Sequence, residues 1–120
     1  MIANGTTHSV MFHHFHGGMH LPAQGSLSPV NFHEMIDWLS LKYQIRGAND
    51  YIEKFFSGAL RGKDICLSFD DVLKCQYDIA LPILNKRKIS AFFFVYSSAF
   101  TDNPDYLEIF RYFKPMAKAL

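Results

Sequence analysis

A chain of 120 residues that is 49% hydrophobic and 16% aromatic has the makeup of a single packed globular domain, which excludes disordered, collagenous and low-complexity classes. Its 12 Lys and Arg residues against 11 Asp and Glu leave a net charge of +1, so the broad basic footprint of a nucleic-acid binder or of an anionic-membrane binder is absent. Residues 1–7 are polar and uncharged, without the apolar region of a secretory signal, and the longest apolar run, residues 91–96, falls far short of the roughly 20 residues of a bilayer helix; a cytoplasmic location is expected.

His8 to His16 reads as a first strand through Val10, Met11, Phe12 and Phe15, closed by Gly17 and Gly18. After a loop to Leu27, Ser28 and Pro29 start a helix, with serine able to cap and proline pre-set for the first helical position. Phe32, Met35, Ile36, Leu39 and Tyr43 continue it at helical spacing to about Arg46, where Gly47 is expected to stop it. Asn49 and Asp50 then cap a shorter helix whose Ile52, Phe55, Phe56 and Leu60 form one apolar face, with Gly58 and Gly62 at its exit.

Ile65-Cys66-Leu67-Ser68-Phe69 is a buried strand that ends in Asp70 and Asp71. Behind it Tyr77, Ala80, Leu81 and Leu84 give a helix to about Lys86, with Pro82 either in its first turn or kinking it. Lys86, Arg87 and Lys88 end that helix as solvated cations at its negative pole. Ile89 to Tyr96 is a third strand, and its continuous apolar run predicts a central parallel strand covered on both faces. Asp102-Asn103-Pro104 opens a last helix carrying Leu107, Ile109, Phe110 and Phe113, ending near Lys114 and Pro115. Cys66 and Cys75 are expected to be free thiols of a reducing compartment, because neither a C-x-x-C motif nor a disulfide framework is present.

The order β, α, α, β, α, β, α makes an α/β fold with parallel strands joined by crossover helices. Three strands make an unfinished sheet, whose unpaired edges offer a route to self-association. Asp70 and Asp71 fall at a strand's carboxyl end, where α/β folds keep their active sites. Two neighbouring carboxylates there can divide labour, one binding a metal and the other taking a proton, although a helix cap is an equally open reading of the residues alone.

Residues 65–71, followed by Asp78-Ile79-Ala80-Leu81-Pro82-Ile83-Leu84 and the strand through Ala91-Phe92-Phe93-Phe94-Val95, resemble the first motif and next strand of the polysaccharide deacetylases, the NodB homology family. Val10-Met11-Phe12-His13-His14 is similar to that family's opening strand. The resemblance implies a distorted (β/α)7 barrel, of which this chain holds an incomplete N-terminal part as one partial domain over residues 1–120. It implies hydrolysis of N- or O-acetyl groups on an acetylated glycan or polysaccharide precursor with a divalent metal, usually zinc. Matched to the motif, Asp70 is the general base, Asp71 a metal ligand, and His13 a supporting residue at the floor of the site.

Two departures matter. Val72 stands where the family commonly has glycine, and the histidine pair expected from a second motif has no counterpart, since every histidine lies at or before His33. The later arginine, groove aromatics and general-acid histidine are also missing from these residues. The expectation is therefore a deacetylase N-terminal portion that binds no metal by itself and is inactive alone. A rival is a non-catalytic α/β module that binds a glycan or partner, or pairs with a separate chain carrying the missing histidines. A phosphoacceptor-like domain also uses strand-end aspartates but lacks the further aspartate and lysine it needs.

Other candidates carry less. His13, His14, His16 and His20 invite a metal reading, yet a lone strand rarely closes a metal shell. Trp38 is expected to pack against the core or a neighbouring helix rather than stack on a sugar. Lys74, close to the aspartates, is read as a solvated cation.

Overall fold

A computed structural model describes residues 7–95 and 97–102. Its elements are β1 (His8–Phe12), α1 (Pro29–Lys42), β2 (Gln44–Ile45), α2 (Ala48–Ser57), β3 (Asp64–Asp70), a π turn (Gln76–Ala80) running into α3 (Leu81–Lys86), β4 (Phe92–Phe94) and a 3-10 turn (Ser97–Phe100). The helix expected to open at Asp102 lies, beyond that residue, outside the described residues. No helix among the described residues is long and apolar enough to cross a membrane.

The Asp-Asp strand is the centre of the sheet. On one side β1 pairs with β3 in parallel, from His8 opposite Ile65 to Phe12 opposite Phe69. The other side is shared, with β2 against Asp64 and Ile65 and β4 against Ser68 to Asp70, both parallel. The sheet is open and does not close into a barrel among the described residues. Alternation along β3 sends Ile65, Leu67 and Phe69 into a core with Phe12, Phe15, Phe32, Ile36, Ile79 and Leu84, while Cys66, Ser68 and Asp70 take the opposite face. Phe69 is stacked between Phe12 at 5.3 Å and Phe93 at 4.8 Å, ring centre to ring centre. Each such aromatic pair contributes about 0.5–1.5 kcal/mol beyond its buried area, which anchors β1 and β4 to β3 just below the aspartates.

The start of α1 forms as its sequence predicts: the Asn31 N–H donates to the Ser28 hydroxyl at 3.1 Å, and Pro29 fills the first turn. Its end differs. The helix stops at Lys42 rather than near Arg46, because the Gln44 N–H bonds the Lys63 carbonyl and the Arg46 N–H the Ile65 carbonyl, both at 2.8 Å, turning those residues into a short strand. Gly47 opens α2 instead of closing α1. A Cβ there would meet the Ser90 hydroxyl at 2.6 Å, and that hydroxyl accepts from the Ala48 N–H at 3.0 Å, so a distant serine caps α2.

Other expectations are corrected. β1 ends at Phe12, not His16: the chain then leaves the ladder, and Phe15 bridges Leu27 while its N–H donates to the buried Cys75 sulfur at 3.4 Å. None of the residues of α2 is buried, and Phe55 and Phe56 of its apolar face are exposed. β4 is not covered on both faces; Phe94 is 56% exposed, and β3 is the strand that β4 pairs with among the described residues. Trp38 is 52% exposed on α1 with the Lys42 ammonium 5.3 Å above its ring, so it is neither core nor packed under a helix. Arg87 is not a solvated helix end: it pairs with Asp37 at 2.7 Å and donates to His33 Nδ1 at 3.1 Å, tying α3 to α1.

Pro82 lies in the first turn of α3, and the turn before it widens. There the Leu81 N–H bonds the Gln76 carbonyl, five residues earlier, in the π turn just ahead of a proline that has no N–H to offer. Both cysteines are buried and outside any disulfide among the described residues, and burial pushes the Cys66 thiol up.

Candidate functional site

The face of the sheet opposite the core carries the polar groups. Ser9 and Met11 of β1, Cys66, Ser68 and Asp70 of β3, and Phe92 and Phe94 of β4 line an open cleft of about 540 Å³ with Tyr51, Asp71 and Val95. Its floor is pinned by a 2.6 Å hydrogen bond between the Ser9 and Ser68 hydroxyls. Asp70 closes β3 at one end of this cleft, and Asp71 is the first residue beyond the strand.

The chain leaves β3 under strain. Asp71 has φ 76° and Val72 φ 49°, two consecutive residues other than glycine in the left-handed region. Aspartate tolerates this conformation, but a β-branched side chain does so poorly, and each such residue costs about 1–3 kcal/mol. Glycine would sit at position 72 without that cost. The departure seen in the sequence at Val72 thus has a structural consequence at the site itself.

His13 stands across from Asp70, with its Nε2 3.6 Å from Asp70 Oδ2 and both side chains about one-third exposed. The register explains the meeting: Phe12 opposite Phe69 is the last ladder pair, so His13 and Asp70 are the next facing positions. A residue that sequence reasoning missed sits beneath them. Gln76 is buried, and its Nε2 donates to the His13 carbonyl at 2.8 Å and to the Asp70 carbonyl at 2.6 Å. A polar residue on the otherwise apolar inner side of that helix was the available signal, and spacing alone does not connect it to residues so distant in sequence.

The remaining histidines do not gather. His14 is buried, His16 Nδ1 shares a 2.7 Å hydrogen bond with the Ser26 hydroxyl, and His20 Nε2 lies 2.8 Å from Asp78 Oδ2. Asp78 also takes the Lys74 ammonium at 2.6 Å, and these two contacts, that with Lys74 foremost, hold its carboxyl below the usual range. Lys74 is thus an exposed, solvated cation as expected, and it pairs with Asp78. Among the described residues no group of three or more His, Cys, Asp or Glu side chains could hold a metal ion. Asp70, Asp71 and His13 do not by themselves fit a metal centre.

Residues 57–112 match the family model for polysaccharide deacetylase. Among solved structures the chain is similar to IcaB from Ammonifex degensii, with a TM-score of 0.63 and 25% identity over 81% of this chain and 41% of that one. The chain thus spans about two fifths of the length of that protein. No curated protein matches it.

Proposed function

Taking the chain as an N-terminal portion of a NodB-type polysaccharide deacetylase domain, we propose that it carries the carboxylate part of a metal-dependent deacetylase centre acting on N- or O-acetyl groups of a glycan. The observation that supports this most is the position of Asp70 and Asp71, at the carboxyl end of the central buried strand and on the rim of an open cleft. In this reading Asp70 is the general base: it accepts a proton from the water that attacks the acetyl carbonyl. Asp71 is a metal ligand, and His13, 3.6 Å from Asp70, supports the floor of the site. Residues 1–120 act as one partial domain, in a cytoplasmic setting.

Metal dependence is the family's property. The donors among the described residues do not complete a centre, and no histidine follows His33 in the sequence. We therefore take the 120-residue chain to release no acetate alone. Incubation of the purified chain with an acetylated chito-oligosaccharide tests this: acetate release that disappears in Asp70→Asn would overturn the inactive part of the proposal. The positive test reads the nucleotide sequence past codon 120. An in-frame continuation encoding two histidines one helical turn apart should yield a longer chain that releases acetate, and activity that survives Asp70→Asn would refute the role of Asp70.

A second reading has its own observation. The exposed Phe93, Phe94 and Val95 at the edge of the open sheet favour a module that pairs with another chain or with itself. Light scattering separates the two, since a strictly monomeric, cooperatively folding chain removes the support for pairing.

A further inference from the structure

We propose that Gln76 is a positioning residue for this site, holding His13 and Asp70 face to face through their backbones; the proposal rests on the reading of Asp70 as the base. The β1–β3 ladder ends at Phe12 opposite Phe69. One step further, His13 and Asp70 face each other with no ladder pair to hold them. There the Gln76 carboxamide takes over, its single nitrogen donating to both carbonyls at 2.8 and 2.6 Å. In a parallel pair, facing residues send their side chains to the same side of the sheet, so fixing the two carbonyls also fixes the side-chain approach, observed as 3.6 Å between His13 Nε2 and Asp70 Oδ2.

The amide can sit only one way round, because turning it over would set its oxygen against two carbonyl oxygens. The consequence is an acceptor left over. Gln76 Oε1 is buried with no hydrogen-bond partner among the described residues, a loss that methionine of similar size would not incur. A side chain kept for packing alone gains nothing from that arrangement, whereas a clamp on two strand ends needs both protons of one nitrogen. The helix also delivers it there: Gln76 starts the π turn that runs into α3.

The test is an NMR double-mutant cycle on the 120-residue chain, read at the His13 ring resonances at fixed pH. Asp70→Asn should move those resonances in the wild-type background, and the movement should shrink about twofold or more when Gln76→Met is also present. Equal movement in both backgrounds overturns the proposal, as does an unmoved His13 in the wild-type background. A side chain that only stabilises the fold would leave this coupling unchanged. Should Gln76→Met not fold, the wild-type chain decides: the Gln76 side-chain amide protons should exchange with solvent about tenfold or more slowly than those of the exposed Gln44, and equal rates overturn the clamp. Loss of the deacetylase reading in the acetate assay would leave these NMR outcomes standing, so the two failures are told apart.

Discussion

Val72→Gly should stabilise the chain although it removes a hydrophobic side chain. Val72 sits at φ 49° immediately after Asp71 at φ 76°. For a β-branched residue the left-handed conformation costs the upper part of the usual range, about 2–3 kcal/mol. Against that relief stand two losses. Glycine adds conformational freedom to the unfolded chain, worth about 0.5–1 kcal/mol. The valine side chain is 48% exposed, so about 0.5–1 kcal/mol of burial also goes. The balance is a gain of about 1 kcal/mol. Thermal unfolding should shift up by about 3–5 °C, and the urea midpoint should rise with an unchanged slope. Val72→Ala keeps a Cβ in the left-handed region and should gain far less. If Val72→Gly instead lowers the midpoint, as it would at a right-handed or extended position, the strained exit from β3 is wrong.

Two further substitutions probe the frame around the site. Asp64, at the base of β3, is buried, with Arg46 Nε at 2.8 Å from one oxygen and the Arg61 N–H at 2.8 Å from the other. Burial pushes its carboxyl up, but those donors outweigh burial and hold it below the usual carboxylate value. A folded pKa below the unfolded one means stability that is present above the unfolded value, near 4, and is lost as pH falls through the folded value. Asp64→Asn should cost about 3 kcal/mol at neutral pH and flatten the acid limb of a stability–pH curve; an unchanged acid limb would contradict the assignment. Gly47→Ala should cost about 1 kcal/mol or more by pushing the Ser90 hydroxyl from the α2 N-terminus, while Ser90→Ala should cost about as much by removing the cap directly, both read by urea unfolding.

How much of this was legible in the sequence depends on whether the deciding forces are local. The Ser28-Pro29 start of α1 and the buried run ending at Asp70 are local signals, a cap and a hydrophobic period, and both form as expected. The strand Gln44–Ile45 has no such signal: it exists because β3 offers hydrogen bonds to residues that helical spacing had claimed for α1. The aromatic run at Phe92–Phe94 reads as buried, and its exposure reflects which neighbours the described residues supply, a fact that composition does not carry. At the site, the aspartate pair was visible as adjacent letters, and the approach of His13 to Asp70 follows from parallel register. Gln76 was invisible, because its partners are backbone carbonyls, which every residue possesses and no motif marks.

Zinc titration of the purified 120-residue chain by calorimetry tests most directly whether it holds the carboxylates of a deacetylase centre without the imidazoles. With no group of three donors among the described residues, saturable binding tighter than about 10 μM should be absent at neutral pH. Stoichiometric binding below about 1 μM that is lost in Asp71→Asn would contradict the claim, by showing that this chain completes a metal site on its own.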